Sequence, residues 1–578
     1  MQIRKIIIHN FRGIRQADWL LPKNRFVCLV GPGDSTKTTL LDVIGLVLSS
    51  RWNIPFSDAD FYNCKVDLPI VLQVVLGDLP SQMLRDDTLG YDLSGLRPDG
   101  TLISEPEDGS ESCLIVQLQV TETLEPVWTV VRPDGEEQGS ISAAVRERFG
   151  LFRVDERVES HLRWGRGSAL TKLTDNKSGA EAAVTSAHRA AREAVFAQPA
   201  GPLHEAAAEV AAAASGIGGA AFGNMRPGLD PTGSSSTHAL LLHDEEIPLT
   251  GFGLGTRRLI SLAIQERAFT AGEIVLIDEI EYGLEPHRLH HLLRHLKKRI
   301  NADQGQVIVT THSPLAVEAL RAEDISVVRS SGDGLTTVQA VPPELDQAQG
   351  TLRQGPSAVL GSRVVVCEGK TEMGVIRRFL QHWDADRTAR GQAPHVAFGL
   401  CQTDGHGSTD APRRAEVLAR LGYPVLLVID NDDRASDQGV VAATAAGAEV
   451  VRWDHGHALE DEVAAALSVP GLADLVRLAA EIKGEQSVLS AVGARLPGAP
   501  NLEGLDPSTW ADAPRTIEQV RTAIAASAKS KGGAWFKLEA AGEQLGELLI
   551  ERWTEIAASP LAMGLRQLHR FAYSEDMP

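Results

Sequence analysis

The sequence has few of the features that mark secreted, disulfide-bonded, zinc-binding or membrane-embedded proteins. Five cysteines occur in 578 residues and none forms a C-x-x-C pair, which argues against a zinc site or a disulfide framework. No apolar run reaches the roughly 18 residues that a membrane span requires. The three consecutive isoleucines near the start are too few for a signal-peptide core, so we expect a cytoplasmic protein with no membrane partner. We expect each cysteine to be an ordinary core residue: Cys28, Cys64, Cys113, Cys367 and Cys401.

The formal net charge of −20 argues against a surface coated in positive charge for nucleic acid, although local basic grooves remain compatible with it. Two basic stretches could follow a phosphate backbone, but most such stretches are solvated faces. They consist of Arg294, Lys297, Lys298 and Arg299, and of Arg153, Arg157, Arg163, Arg166, Lys172 and Lys177.

A phosphate-binding loop is predicted between the buried strand RFVCLV and the helical pattern TTLLDVIGLVL. Backbone N–H groups in such a loop and at the helix N-terminus form a cradle for anions. Lys37 would reach the outer phosphates of ATP and the Thr38 hydroxyl would bind Mg²⁺. Thr36 stands where the usual pattern has its second glycine. The loop comprises Gly31, Gly33, Asp34, Ser35, Thr36, Lys37, Thr38 and Thr39.

Two further apolar strands end in polar residues that suit the same nucleotide site. The run EIVLIDEIE places Asp278 where it can hold the Mg²⁺ shell and Glu279 where it can polarise the attacking water. The run VIVTTHSP ends at His312, which could sense or stabilise the γ-phosphate. Three polar strand ends in this chain order predict an ATPase.

A second set of strand-end carboxylates predicts a metal site. In VVVCEGKTE, Glu368 ends a strand and Glu372 lies one helical turn later. In VLLVIDNDD, Asp430 and Asp432 alternate past the end of another strand. Four carboxylates at one sheet edge would repel each other unless divalent cations offset their charge. One or two Mg²⁺ or Mn²⁺ ions there could activate water for cleavage of a phosphodiester.

The motifs IHNFRGI, GPGDSTKTT, LIDEIEYGLEP and TTHSP resemble the ATPase heads of SMC-related and RecF-like proteins, and in particular those of the OLD (overcoming lysogenization defect) family. This resemblance implies that Arg12 lies near the nucleotide. It leaves the glutamine-loop position open between Asp60 and Gln73.

The segment PLTGFGLGTRRLISLAI occupies the place of the ABC signature motif, which in such heads contacts the γ-phosphate across a dimer. Gly253, Gly255 and Thr256 fit the motif, whereas Leu254 stands in place of its serine. Thr36 and Leu254 together argue against efficient ATP hydrolysis more than against ATP binding.

The E-G-x-T-E and D-x-D motifs resemble those of the Toprim domain, and DGHGS supplies its glycine-bearing turn at Gly405 and Gly407. The resemblance to OLD nucleases implies a further acidic ligand at Glu460, in preference to the adjacent Asp461. It also implies a functional lysine in KSKGGAWFK, which would be Lys531 or Lys537.

The predicted fold class is α/β. An ABC-type P-loop ATPase head, residues 1–165 and 236–345, carries an inserted helical hairpin, residues 166–235, and the resemblance to OLD proteins implies that this hairpin mediates dimerisation. A Toprim α/β domain follows at 346–470, and a helical C-terminal extension at 471–578 completes the nuclease region.

The expected function is an ATP-regulated DNA endonuclease that uses Mg²⁺ or Mn²⁺ and acts in bacterial anti-phage defence, as a homodimer or larger homo-oligomer, with a helicase or effector protein as a candidate partner. One alternative is a DNA repair ATPase whose Toprim domain only binds DNA. Another is a nucleotide-binding sensor in a defence complex with little ATP turnover. A topoisomerase is disfavoured because Tyr423, at the start of a strand, is poorly placed as a nucleophile, and a zinc-bearing primase by the cysteine spacing.

Overall fold

The protein is described from a computed structural model. The description covers the chain except residues 52, 82, 85–91, 135–136, 155–158, 160–161, 164–169, 171–179, 198–200, 203, 207–240, 268–272, 304, 343–344, 346, 499–500, 513, 531, 576 and 578. The chain divides into two compact units, one of Met1 and residues 144–307 and a larger one of residues 2–143 and 308–578.

The smaller unit contains a parallel pair of strands, β10 and β13, in which Leu151 pairs with Ile274 and Val154 with Ile277. All four residues of β13 are buried, as expected for a strand covered on both faces. Its elements are α2 (Ala143–Glu147), β10 (Leu151–Val154), α3 (Ala180–Phe196), β11 (His243–Asp244), β12 (Ile247–Pro248), α4 (Leu254–Arg267), β13 (Ile274–Ile277), α5 (Pro286–Asp303) and the start of β14 (Gln306–Thr310).

The larger unit begins with antiparallel strands whose alternating apolar residues form one buried face. Strand β1 lies between β2 and β4, and β4 pairs with β7. Strand β15 joins β3 in parallel and β16 in antiparallel fashion. The elements are β1 (Gln2–Phe11), β2 (Ile14–Leu20), β3 (Phe26–Val30), α1 (Lys37–Val47), β4 (Ile70–Gly77), β5 (Ser94–Leu96), β6 (Leu102–Ile103), β7 (Glu111–Val120), β8 (Pro126–Val131), β9 (Glu137–Ser140), α6 (Pro314–Ala319), β15 (Ile325–Ser330) and β16 (Leu335–Ala340).

A four-stranded parallel sheet follows in the same unit, with the strand order β18-β17-β19-β20. Strands β17 and β19 are buried almost throughout, and helices connect the strands as parallel pairing requires. The elements are α7 (Ala348–Gln354), β17 (Arg363–Cys367), α8 (Lys370–Ala389), β18 (Leu400–Asp404), α9 (Asp410–Arg420), β19 (Val425–Ile429), α10 (Asp437–Ala445), β20 (Glu449–Arg452) and α11 (Leu459–Ala466).

The C-terminal region is helical, as its alanine-rich periodic sequence predicts. Its apolar side chains pack with those of β17, β19 and α8 into one core, which includes the buried residues Trp510, Trp535 and Phe536. The region therefore completes the sheet's hydrophobic core. Its helices are α12 (Val469–Lys483), α13 (Glu485–Gly493), α14 (Pro507–Trp510), α15 (Ile517–Ala528), α16 (Glu539–Glu551), α17 (Trp553–Ile556) and α18 (Pro560–Tyr573).

Two expectations from the sequence require comment. Cys64 is exposed, so the prediction that every cysteine is a core residue is wrong for it, and Cys401 is only partly buried; Asn63 and Cys64 both have positive φ in a tight surface turn. The first helix of the predicted hairpin is α3, whereas most of its second half lies outside the described residues.

Of the helices in the described parts of the chain, none combines the length and the apolar character needed to cross a bilayer.

Candidate functional site

The parallel sheet brings the predicted acidic residues of the larger unit to one edge. Glu368 directly follows β17 and Asp430 directly follows β19, which is the strand next to β17. Glu372 lies in the first turn of α8, and Glu460 in the first turn of α11. Because parallel strands present their carboxyl ends at the same edge, these side chains face a common point.

Backbone N–H groups fix the orientation of these carboxylates. The N–H of Asp430 donates to Glu368 Oε2 at 2.9 Å, and the N–H of Leu459 donates to Asp430 Oδ1 at 2.9 Å. The N–H of Gly369 donates to Glu372 Oε2 at 2.9 Å. The acidic groups are thus held in place by the ends of three elements.

Burial and mutual repulsion raise the pKa values of these acids. Glu372 and Glu460 are only 6% and 7% exposed. Loss of hydration, followed by repulsion from Glu460, raises the pKa of Glu372 to about 8. Loss of hydration, followed by repulsion from Glu372 and Glu368, raises the pKa of Asp430 to about 10. Burial also raises the pKa values of Glu368 and Glu460.

Glu372 owes part of its desolvation to the C-terminal helices. Glu372 lines an apolar cavity together with Trp453 and with Leu565 and Leu568 of α18. The apolar wall excludes water from one side of the carboxylate, which disfavours its charged form.

The donor set fits a divalent metal. Among the described residues, no lysine, arginine or histidine forms an ion pair with Glu368, Glu372, Asp430, Asp432 or Glu460. Five acids at one sheet edge, of which Glu372 and Glu460 are buried and Glu368 and Asp430 partly buried, require either protons or a bound cation when no described cationic residue pairs with them. Oxygen-only ligands of this kind suit Mg²⁺ and Mn²⁺. The exposed Asp432 would complete the set from the solvent side.

Asp461, unlike Glu460, bonds to groups outside the acidic cluster. Its Oδ2 accepts the N–H of Ala458 at 2.8 Å and pairs with Lys529 Nζ at 2.5 Å. Asp461 therefore caps α11, whereas Glu460 faces the other acids.

Two lysines act on the acidic cluster. Lys537 and Lys529 both lower the pKa of Glu460, and Lys537 also lowers that of Glu368. Of the two lysines predicted from the sequence, Lys537 is thus near the cluster, whereas Lys531 lies outside the described residues. Lys529 was missed, although it is the first lysine of the same segment.

The predicted phosphate loop lies between β3 and α1. Gly31 has φ +150°, and a Cβ atom there would lie 2.3 Å from the carbonyl oxygen of Val328, so only glycine fits. Lys37 is buried and its Nζ donates to the carbonyl oxygens of Gly31 and Pro32 at 3.1 and 2.7 Å and to Ser35 Oγ at 3.0 Å. Thr38 is exposed at the start of α1.

Thr36 adopts a left-handed conformation, with φ +66° and ψ +17°. This conformation is why glycine is usual here, because a β-branched residue in it is strained. The Thr36 hydroxyl lies 2.6 Å from the carbonyl oxygen of Ser35 and 3.2 Å from Thr336 Oγ1. These contacts hold a residue that the loop geometry disfavours.

The turn at Arg12 lies against the phosphate loop. A Cβ on Gly13 would lie 3.4 Å from Thr36 Cγ2. Arg12 pairs with Asp42 of α1 and with Asp60, whose carbonyl oxygen also accepts the Arg12 N–H at 2.7 Å. Of the two glutamine-loop candidates, Asp60 therefore lies beside this turn, whereas Gln73 lies within β4 and bonds to Gln117.

His312 follows β14 in the larger unit. The N–H of Thr311 donates to the carbonyl oxygen of Leu29 at 3.2 Å, which brings this strand end to the edge of β3 where the phosphate loop begins. His312 is exposed there.

The smaller unit contains the remaining residues that the sequence predicts to act on nucleotide. Asp278 directly follows β13 and is 7% exposed, and Glu279 has a φ of +45°. Gly253 precedes α4 and Gly255 lies in its first turn, where a Cβ would lie 2.8 Å from the carbonyl oxygen of Gly283. The signature segment thus packs on the loop that follows Asp278 and Glu279.

These features define a P-loop ATPase joined to an acidic site at the edge of a parallel sheet. Residues 26–318, about half of the chain, match the family described as "AAA domain, putative AbiEii toxin, Type IV TA system", and the chain belongs to this family.

The chain is also 25% identical over 371 residues to a protein of Thermus scotoductus (strain ATCC 700910 / SA-01) named OLD nuclease, a match that covers 61% of this chain and 66% of that protein. The resemblance to the OLD family predicted from the motifs is confirmed by this match. The chain spans just under two thirds of that relative's length.

Two solved structures resemble the chain at low similarity. One is the SMC head bound to the C-winged helix domain of ScpA, with 16% identity, a TM-score of 0.36, and 60% of this chain and 98% of that chain covered. The other is the SMC head domain from Thermotoga maritima, with 14% identity, a TM-score of 0.28, and 59% and 100% covered.

Proposed function

We propose that the protein is an ATP-regulated, Mg²⁺- or Mn²⁺-dependent DNA endonuclease that acts in bacterial anti-phage defence. The observation that carries this proposal is the set of converging acids that have no cationic partner among the described residues. A module that only bound DNA would gain nothing from such a set, since the acids would repel phosphates. The likeness to an OLD nuclease supports the same reaction, and the place in defence rests on the OLD resemblance alone.

In this proposal Glu368, Glu372, Asp430, Asp432 and Glu460 hold the metal. The bound metal would supply a Lewis acid and an activated water for phosphodiester hydrolysis. The chain's own residues orient the carboxylates through the N–H groups of Gly369, Asp430 and Leu459, and exclude water behind Glu372. Lys537 would stabilise negative charge that develops on the phosphate.

Nucleotide control is proposed for the phosphate loop of the larger unit, where Arg12, Lys37, Thr38 and His312 would bind ATP and Mg²⁺. Asp278 and Glu279 keep in this proposal the Mg²⁺-holding and water-polarising roles predicted from the sequence. Gly253 and Gly255 would contact the ATP of a second copy, so the active form would be a homodimer or larger. The helical insertion would add to the dimer contact.

A cleavage assay tests the proposal. Supercoiled plasmid and linear duplex DNA are incubated with Mg²⁺ or Mn²⁺, with and without ATP. We expect metal-dependent cleavage that is abolished in Asp430→Ala and responds to ATP in the wild type but not in Lys37→Ala. Cleavage that persists in Asp430→Ala would remove the assignment of the site.

A second candidate function is a nucleotide-binding sensor with little ATP turnover, and the strained Thr36 favours it. Phosphate release that does not exceed that of Lys37→Ala, with or without DNA, would support the sensor.

A further inference from the structure

A histidine that the carboxylate chemistry leaves unused lies next to the acidic edge. His406 is on the loop that follows β18, the neighbour of β17. In the register of these parallel strands Asp404 is level with Cys367, the residue before Glu368. The loop therefore leaves the sheet at the point where Glu368 begins.

Backbone bonds continue this alignment past the end of the strands. The N–H of Gly405 donates to the carbonyl oxygen of Cys367 at 2.7 Å, and the N–H of Gly407 donates to that of Glu368 at 2.8 Å. His406, the residue between these two glycines, is thus held beside the backbone of Glu368.

The imidazole of His406 is oriented by Asp404. Asp404 Oδ1 accepts the backbone N–H of His406 at 2.8 Å and lies 3.1 Å from its Nδ1. The carbonyl oxygen of Asp404 is itself fixed by Arg414 Nη1 at 3.0 Å. Nδ1 therefore lies at ion-pair distance from a carboxylate oxygen, while no described residue bonds to the other ring nitrogen, and the side chain is 42% exposed.

His406 also occupies a costly conformation, with φ +62°. A non-glycine residue in this region loses roughly 1 kcal/mol relative to glycine. The sequence supplies glycine on both sides but keeps histidine at this position. Strained residues of this kind concentrate at functional sites.

We propose that His406 is a catalytic residue of the nuclease: its Nε2 donates a proton to the oxygen that leaves phosphorus. Water attacks phosphorus, the bond to the leaving oxygen breaks with its electron pair on that oxygen, and the oxygen takes the Nε2 proton. The attacking water releases a proton to solvent, and the imidazole regains one from solvent. This inference rests on the proposed nuclease function.

Two variants separate the imidazole from the loop conformation. His406→Gly removes the ring and favours the backbone at φ +62°. His406→Asn tolerates the same backbone and keeps a polar side chain, but it cannot donate a proton in this way. His290→Asn, on the exposed face of α5, is the matched control.

The substrate comparison isolates the proton transfer. Product ends from native DNA first identify whether the 3′ or the 5′ oxygen leaves, and a second substrate then carries sulfur at that bridging position. A thiolate leaves without a proton because the pKa of a thiol lies near 8.5. We expect both His406 variants to cut native DNA about 100-fold more slowly, and the sulfur substrate within about threefold of the wild type.

Binding measurements complete the test. Affinity for Mn²⁺ by calorimetry, and for DNA in Ca²⁺, should match the wild type in both variants. Unchanged cleavage of native DNA by His406→Gly, or an equal loss on both substrates, would overturn the role of His406 alone. An inactive wild-type protein with either metal would instead overturn the nuclease proposal, and the inference with it.

Discussion

The guanidinium of Arg329 lies over the ring of Tyr423, with Cζ 4.6 Å from the ring centroid, and its Nη2 donates to the carbonyl oxygen of Ser362 at 3.3 Å. Ser362 precedes β17 and Tyr423 precedes β19, the two strands that are followed directly by Glu368 and Asp430. Arg329 therefore touches the starts of both acidic strands.

Arg329 belongs to β15, and this strand also contacts the phosphate loop. It pairs in parallel with β3, and the carbonyl oxygen of Val328 lies directly against Gly31. A loop that shifts with nucleotide would displace Val328, and the next residue, Arg329, would pass that shift to β17 and β19. The geometry offers one continuous route within the larger unit.

We accordingly expect Arg329→Met to weaken nucleotide control without removing cleavage. The ratio of cleavage rates with and without ATP should fall by at least about fivefold, the lower range of typical couplings between sites. Arg413→Met, on the exposed side of α9, should leave that ratio unchanged. An unaltered ratio in Arg329→Met would show that nucleotide acts by another route.

Removing charge from the acidic cluster should stabilise the metal-free protein at neutral to alkaline pH. The folded-state pKa of Glu372, about 8, exceeds its ordinary value near 4.5, so between these values the folded chain holds a proton that the unfolded chain has lost. The contribution of Glu372 to the free energy of unfolding is therefore fully present below pH 4.5 and declines as the pH rises towards 8.

Glu372→Gln should thus raise the melting temperature of the metal-free protein at pH 8 more than at pH 5. Asp386→Asn, which changes an exposed acid on the same helix, should show no such difference. Equal shifts at both pH values would mean that Glu372 is not held at a raised pKa.

When a divalent metal is bound, the stability of the protein should rise with pH instead of falling. Because ligands must lose protons to bind a cation, metal affinity rises with pH. We expect 1 mM Mn²⁺ or Mg²⁺, taken as about 100 Kd, to stabilise the wild type by about 3 kcal/mol at pH 8, and less at pH 6. Asp430→Asn should lose most of this gain in a thermal melt, whereas Asp437→Asn, on the exposed start of α10, should keep it.

The sequence was sufficient to predict which acids lie together at one edge of the parallel sheet. Buried runs such as VVVC and VLLVI define strands, and acids that directly follow them must share an edge when the strands are parallel. Gly405 and Gly407 likewise predicted a turn. Thr36 stands where the phosphate-loop pattern has glycine, so the sequence predicted a departure from that pattern. The positive φ of Thr36 explains why glycine is usual at this position.

Other features depend on contacts between residues far apart in sequence. The pairing of Lys529 with Asp461 requires α15 to pack against α11, and no local pattern reports that packing. The contact of Arg329 with Tyr423 spans 94 residues for the same reason. The bonds from Gly405 and Gly407 to β17 required the strand order of the sheet, which the motif spacing does not contain.

Replacing Thr36 with glycine should strengthen the phosphate loop. Relief of a left-handed β-branched residue is worth about 1–2 kcal/mol, from which about 0.4–1 kcal/mol is lost through the freer unfolded chain. We expect a net gain of roughly 0.5–1 kcal/mol in the free energy of unfolding, together with tighter ATP binding by calorimetry. Thr336→Ala, which removes only the hydroxyl partner, should give neither gain.

The two described lysines near the acids should differ in their effects on cleavage. Lys529 is committed to Asp461 and so acts mainly by capping α11. Lys537 is exposed and lowers the pKa values of both Glu368 and Glu460, which places its charge where a phosphate would approach. We expect Lys537→Met to slow DNA cleavage about 100-fold, as the loss of one transition-state donor typically does.

Lys529→Met should instead lower the melting temperature and slow cleavage by less than about tenfold, because an ion pair of two partly exposed groups contributes at most about 1 kcal/mol. Single-turnover rates at saturating Mn²⁺ distinguish the two variants, since they exclude differences in product release. A larger loss for Lys529→Met than for Lys537→Met would assign the phosphate contact to the lysine at the end of α15.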